Sequence, residues 1–386
     1  MEISPKLQHL TNEEIENLVR EYYKSGLSNV ELIERYNISV NPSRLVSLFP
    51  PLVHDDLLCP YCSDEPMISR RPSKSSHHDP SPECPSCGHK QVRNCYCQNC
   101  RDKQEWERKR FDEIKREIIR EDYGRDYARR DLSELTLRDA VYVSALARYA
   151  TSEDLKFATP YEMHSPPLAP THGHVRSIVR HLYREDLIGV DTESSIEAFV
   201  FDDELTRAPE YYPAKVDWHF LPAIEEDHKR AFLNELAELI DAKWKQEWLD
   251  DIAGLWREIV KEEALEYYFH LLEQRDYQID AIGEKTHTVF DFLIERFPLS
   301  KIYNLTWQAV RDVTDYNVKE GIPRYRGKNN FVGAIQRKAE RFIAQGWDLR
   351  DSRRDFNCPQ SVISAVFFNT FLRRGDEGFT SLPPQE

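Results

Sequence analysis

The chain has 386 residues and a formal net charge of −15 at neutral pH, with 40% hydrophobic and 31% charged residues. This length exceeds what a single hydrophobic core usually supports, so we expect two to four domains. No apolar run approaches the length of a membrane span, and the N-terminus lacks the basic and apolar layout of a signal peptide. The composition therefore predicts a cytoplasmic, multidomain protein without a membrane partner.

Residues 1–51 predict three short helices separated by turns. Thr11 and Glu14 have the spacing of a capping box, which marks the start of the first helix. The stretch SGLSNVELIERYNI resembles the homeodomain-like helix-turn-helix superfamily of transposases and regulators. That resemblance covers about forty residues and implies DNA contact by a third helix, expected from Pro42 to Phe49. Arg44 is the only basic residue of that helix, and a protein-docking module is the alternative.

Seven of the eight cysteines lie within the segment 52–101. The pairs CPYC and CPSC are typical of zinc knuckles, because two thiolates separated by two residues reach one tetrahedral ion from a tight turn. In a reducing compartment such pairs favour metal over disulfides. The sequence therefore predicts zinc ligands at Cys59, Cys62, Cys84, Cys87, Cys95, Cys97, Cys100 and His77.

Two groupings of these ligands are open. In the one that we favour, the four thiols that form a compact zinc ribbon are Cys84, Cys87, Cys97 and Cys100. The first knuckle is then completed from the set His77, His78, His89 and Cys95. In the other grouping one ion is held by Cys59, Cys62, Cys84 and Cys87, and a second by the remaining thiols with a histidine. Both groupings need two ions. Neither knuckle follows an HxE motif, so we expect structural rather than catalytic zinc.

Residues 102–130 predict a highly charged connecting helix, and residues 131–205 a compact module of helices and a small β-hairpin. The stretch VRSIVRHLYREDLIGV predicts an amphipathic helix that runs into a strand, and DTESSIEAFVFDDE predicts a turn and a return strand. This order resembles the winged-helix superfamily, with LYREDLIGVD at the junction of helix and wing. The resemblance implies nucleic-acid contact by the helix, although winged helices also serve as protein-interaction modules.

Basic and histidine side chains in this module have separate expected positions. Helical spacing places Arg176, Arg180, His181 and Arg184 near one face, where the arginines suit phosphate contact. His164, His172 and His174 fall in a stretch rich in proline and histidine, so we expect them at the surface of a loop. Residues 223–386 predict a separate α-helical domain, because apolar residues recur there at three- and four-residue steps.

Charge is unevenly distributed over this C-terminal region. The stretch 225–285 is acidic, whereas the stretch 324–374 is clearly basic. An acidic chain can therefore still carry local faces that bind phosphate. For the helical domain we expect dimerisation or docking of a protein partner.

Taken together, the modules predict a mainly α, multidomain fold and a zinc-containing protein that binds double-stranded DNA, as a bacterial-type regulator or a nucleic-acid-sensing component of a mobile-element or defence system. The expected DNA contacts are Arg44, Arg70, Arg71, Lys90, Arg93, Arg176, Arg180 and Arg184. An adaptor or assembly factor built from the same modules is the first alternative. A metal-dependent nuclease is the second, and the chain lacks the Walker A, GxGxxG, GxSxG and HExxH motifs of other enzyme classes.

Overall fold

A computed structural model describes residues 3–62, 65–76, 80–124, 132–150, 158–159, 166–221, 228–242, 245–278 and 282–384. The chain divides into two compact units, Met1–Glu113 and Ile114–Glu386. Within the described residues the fold is mainly helical, with three small antiparallel sheets of two strands each, which confirms the predicted class. Among these residues no helix has the length and apolar character needed to cross a bilayer.

The first unit begins with two helices, α1 (Asn12–Lys24) and α2 (Asn29–Arg35). Each starts with a complete capping box, in which a Thr or Ser side chain accepts a backbone N–H and the glutamate three residues later accepts the cap N–H. The next segment, Pro42–Leu48, is a 3-10 helix rather than the α-helix that the sequence predicts. Proline at both ends confines it to seven residues, too few for a stable α-helix.

A hairpin follows, made of strands β1 (Leu52–Leu58) and β2 (Pro66–Ser69), and then helix α3 (Gln98–Tyr123). The charged helix therefore begins four residues before the predicted boundary, and residues 125–130 lie outside the described part. The chain after β2 is held on the N-terminal helices, because the Lys74 ammonium donates to the Leu27 carbonyl at 2.7 Å and Tyr23 Oη donates to the Pro72 carbonyl at 2.6 Å.

The second unit contains two small sheets and a larger set of helices. Its first elements are α4 (Leu137–Ala150), α5 (His172–Arg184), β3 (Ile188–Val190), β4 (Phe199–Val200), β5 (Glu210–Tyr211) and β6 (Trp218–Phe220). The helices that follow are α6 (His228–Ala242), α7 (Trp248–Glu273), α8 (Glu284–Ile294), α9 (Leu299–Lys319), α10 (Arg324–Gly327), α11 (Phe331–Gln345), α12 (Val362–Ser364) and α13 (Glu377–Thr380), with a π-helical stretch at Ala365–Phe371.

Strand pairing in this unit differs from the predicted hairpin. Strand β3 pairs with β6, not with a return strand inside 191–205, and β4 pairs with β5. Trp218 of β6 also exchanges backbone hydrogen bonds with Ala158, at 2.7 and 2.8 Å. Burial explains why β3 pairs with β6, because every second residue there is buried, namely Val216, Trp218 and Phe220. The polar residues directly after β3 offer no such apolar face.

One hydrophobic cluster runs through the second unit. It joins buried residues of α4 and α5 to those of α7, α8, α9 and α11, with Trp218, Trp248 and Trp256 among its largest side chains. The segments that the sequence treats as a winged helix and a separate helical domain therefore share this core. The position of α5 depends on α7 as well as on its own neighbours.

A buried ion pair lies inside this cluster. The side chain of Glu263 is fully buried and accepts two hydrogen bonds from the guanidinium of Arg354, at 2.9 and 3.3 Å. One turn further along α7, the Oε2 atom of Glu266 is buried without a hydrogen-bond partner in the described part of the chain. Burial, and then the charge of Glu263, raise the pKa of Glu266 to about 8.

We expect Glu266 to make the protein less stable as pH rises. Its pKa in the folded protein exceeds the unfolded value, so between about pH 4.5 and 8 the folded state binds more protons and loses stability with pH. Glu266→Gln should raise the free energy of unfolding by roughly 3 kcal/mol at pH 7 and far less at pH 5. Urea denaturation at both pH values measures this, with the exposed Glu320→Gln as control. An equal gain at both pH values would contradict the prediction.

Candidate metal centre and nucleic-acid interface

The first group of metal ligands forms around the β1–β2 hairpin. Cys59 and Cys62 lie in the turn between the two strands, where the Cys59 N–H donates to the Glu65 carbonyl at 2.9 Å and the Glu65 N–H donates to the Cys62 carbonyl at 3.0 Å. These bonds close a tight loop. Both thiols therefore point toward the same volume, as a knuckle requires.

The second knuckle lies beside strand β2. Glu83 exchanges backbone hydrogen bonds with Ile68 at 2.7 and 2.9 Å, which places the Cys84 turn next to the hairpin. Gly88 closes the turn with a φ of 68°, a left-handed conformation that a side chain would strain. As a result, the sulfur atoms of Cys59, Cys62, Cys84 and Cys87 all lie within 4.8 Å of one another.

A second group of ligands follows directly in the chain. One ligand atom from each of its four members lies within 4.8 Å of the others; the members are His89, Cys95, Cys97 and Cys100. The sulfurs of Cys97 and Cys100 lie 3.7 and 3.3 Å from Nδ1 of His89. Cys100 belongs to the first turn of α3.

The spacing of these atoms suits a tetrahedral ion. With metal–sulfur bonds of about 2.3 Å, tetrahedral geometry separates two sulfurs by roughly 3.8 Å, and a sulfur and an imidazole nitrogen by roughly 3.6 Å. The Cys59 and Cys87 sulfurs are 3.7 Å apart, and the His89 distances lie on either side of the mixed value. Each cluster can therefore hold one metal ion, such as zinc, with four protein ligands and no open coordination position.

The structure groups the ligands differently from the compact ribbon that we favour from the sequence. Cys84 and Cys87 lie with Cys59 and Cys62, so that grouping is wrong and the alternative one is formed. Long-range pairing of Glu83 with β2 decides this, which the local spacing of cysteines does not reveal. His89 completes the second cluster, and His77 lies outside the described residues. The feature of the sequence that indicates His89 as a metal ligand is its place directly after the CPSCG turn.

Two thiols of the second cluster differ in pKa, because burial raises the pKa of Cys97 to about 11, whereas a hydrogen bond acts in the opposite direction on Cys95. The Lys90 backbone N–H donates to the Cys95 sulfur at 3.2 Å and lowers the pKa of that thiol to about 6. The metal-binding form of cysteine is the thiolate. Tyr61 of the first knuckle lies with its Oη 3.6 Å from the Cys100 sulfur and its ring edge-on to His89. A residue between two ligands of one cluster therefore contacts the other.

A row of arginines occupies one face of α5. Arg176, Arg180 and Arg184 are exposed and four residues apart, so the row extends for about 12 Å. Within the described residues none of the three has an ion pair or a hydrogen bond from its side chain. The guanidinium groups are therefore available to an external anion.

Two histidines hold α5 against its neighbours. His181, which we expected beside the arginines, donates through Nε2 to the buried Asp139 of α4 at 2.6 Å. His174, which we expected at the surface of a loop, is buried in α5 and donates through Nε2 to Glu258 of α7 at 3.0 Å. Tyr142 and Arg138 of α4 donate to the same carboxylate. Burial would raise the pKa of Glu258, but the His174 hydrogen bond and the Arg138 charge outweigh it and lower that pKa to about 2. One carboxylate thus connects three helices.

The remaining predicted DNA contacts lie in the first unit. Arg71 donates through Nε to the Pro50 carbonyl at 2.8 Å, and Lys90 pairs with Glu83 at 3.2 Å, so both have structural partners. Lys90 is nevertheless exposed, as are Arg44, Arg70 and Arg93.

Comparison of the chain with protein-family models, with curated proteins and with solved structures found no match in any of the three. Function is therefore inferred from the two ligand clusters and from the α5 face.

We expect His89→Ala to remove one of two metal ions per chain, because three thiolates leave the second cluster open to water. The matched control is His77→Ala, which should keep both ions, since each cluster has four ligands without it. Elemental analysis after gel filtration gives the metal content of each variant. Unchanged content in His89→Ala, or loss in His77→Ala, would show that the ligand assignment is wrong.

Proposed function

We propose that the chain is a zinc-stabilised protein that binds double-stranded DNA, with α5 as the helix that contacts the duplex. The observation that carries the proposal is the row of three exposed arginines on α5, which have no ion pair or side-chain hydrogen bond to any residue that the structure describes. Duplex DNA carries one negative charge per about 1.7 Å of its axis, so a row of about 12 Å faces several phosphates. Arginine is also the side chain that most often contacts guanine in the major groove.

The order of elements around α5 supports a winged-helix module. In the sheet, Ala158 pairs with β6, and β6 pairs with β3. Along the chain, α4 precedes Ala158 and α5 precedes β3. The residues between β3 and β6 then occupy the place of the wing, which is longer than the sequence suggests. The side chains on the outer face of α5 would enter a groove while its inner histidines hold it against α4 and α7.

The N-terminal helices support a second, weaker contact. Their order fits the helix-turn-helix resemblance, and Arg44 is exposed at the start of the third segment. That segment has seven residues of 3-10 helix, which offer a groove fewer side chains than α5 does. We propose that this segment contacts the DNA backbone and so adds to the contact that α5 makes with the duplex.

Zinc is the ion that we propose for both clusters, because tetrahedral sets rich in thiolate favour it over harder cations. The purified protein should contain about two zinc ions per chain. Removing them with a chelator should expose residues 52–100 to protease, since the hydrophobic cluster in the described part of this segment consists of Met67 and the ligands Cys59 and Cys84. The second unit should stay resistant. Limited proteolysis with mass spectrometry tests this, and equal resistance with and without zinc would contradict it.

We expect the double charge reversal Arg176→Glu and Arg180→Glu to weaken duplex binding at least about tenfold and to reduce the slope of log affinity against log salt by about two. Neither residue contributes to the core, so thermal unfolding should be unchanged. Fluorescence anisotropy with a labelled duplex across a salt series measures both quantities.

The control carries the same change in net charge elsewhere. Arg350 and Arg353 are exposed outside α5, and reversal of both should leave duplex affinity as in the wild type. Equal losses in the two variants would mean that net charge rather than α5 determines binding. No duplex binding by the wild type at low salt would overturn the proposal in favour of the adaptor alternative.

A further inference from the structure

A groove between α9 and α11 is unconnected with the metal clusters and with the α5 face. It encloses about 580 Å³, within the usual range for a site that binds a small ligand. Helix α11 contributes three cations to its lining, Arg337, Lys338 and Arg341, and α9 contributes Asp312 and Tyr316. The side of the groove that α11 forms lies in the basic stretch 324–374 of a chain whose net charge is −15.

The charges of the groove do not cancel. Asp312 accepts from Lys338 at 2.6 Å and from Arg311 at 2.7 Å, so its one negative charge is already shared by two cations. Arg337 and Arg341 are exposed, one helical turn apart, and within the described residues they have no ion pair or hydrogen bond. A net positive site therefore remains open to an anion.

A further cation lies beside Arg337, outside the groove lining. A Cβ atom placed on Gly333 would lie 3.2 Å from Nη1 of Arg337 and 3.6 Å from the ammonium of Lys285. Lys285 of α8 therefore adds to the positive charge around Arg337.

An exposed aromatic side chain in the lining defines the class of ligand. Tyr316 lines the groove with 55% of its surface exposed. Cationic grooves bordered by exposed aromatic rings bind single strands, because phosphates contact the cations while bases stack on the rings. We propose that this groove binds single-stranded nucleic acid, with phosphates on Arg337 and Arg341 and a base on Tyr316.

The probe for this site is a labelled oligothymidylate of about twelve nucleotides, measured by fluorescence anisotropy at low salt with the full chain. Arg337→Gln with Arg341→Gln should weaken binding about tenfold or more, and Tyr316→Ala several-fold. Tyr316→Phe should retain binding, because stacking needs the ring and not the hydroxyl. Arg350→Gln with Arg353→Gln, which removes the same charge outside the groove lining, should bind as the wild type does.

The site is independent of duplex binding by α5, and the variants separate the two. The groove variants should keep their affinity for duplex, and Arg176→Glu with Arg180→Glu should keep its affinity for oligothymidylate. The proposal is overturned by wild-type binding in the groove variants or by no binding in the wild type. If polyglutamate competes as strongly as unlabelled oligothymidylate does, the groove binds an acidic protein. If thymidine monophosphate competes as strongly as the oligothymidylate, the groove binds a free nucleotide. Either result overturns the proposal.

Discussion

The segment between the N-terminal helices and α3 depends on the attraction between its thiolates and the shared metal ions that we propose. In its described part, this segment has a buried cluster of only Cys59, Met67 and Cys84. A cluster of that size removes too little apolar surface from water to offset the entropy of ordering the chain. In the proposed metal-bound protein, coordination supplies the difference, as in other small metal-bound modules, and it sets the positions of the hairpin, the second knuckle and the first turn of α3.

The second unit is stabilised by a large apolar core, which surrounds a few ionic groups. Glu258 joins α4, α5 and α7 through three donors, and its low pKa shows that the paired charge is favoured despite burial. The inner face of α5 is therefore specified by hydrogen-bond geometry, and its outer face is left free for arginine. A helix that binds DNA, as we propose for α5, needs this combination. If it moved relative to the helices that hold it, binding would lose affinity through the entropy of ordering it.

Features that depend on neighbours in the chain could be predicted from the sequence. The capping box at Thr11, the CPYC and CPSC knuckles, and the end of α11 at the left-handed Gly346 all follow from spacing and from backbone conformation. Features that depend on distant partners could not. The pairing of β3 with β6, the burial of His174 against Glu258 and the grouping of the ligands each involve residues more than twenty positions apart.

The order of the ligands along the chain has a consequence for how the metal module folds. The ligands of the two ions do not interleave: the first set ends at Cys87 and the second begins at His89. Closing the first site brings together knuckles separated by the chain from Cys62 to Cys84, whereas the second site forms from neighbours between His89 and Cys100. The entropy of loop closure favours the shorter span by about 1 kcal/mol. If both sites bind zinc as we propose, we expect the site nearest α3 to form first and the site that includes the hairpin to close after it.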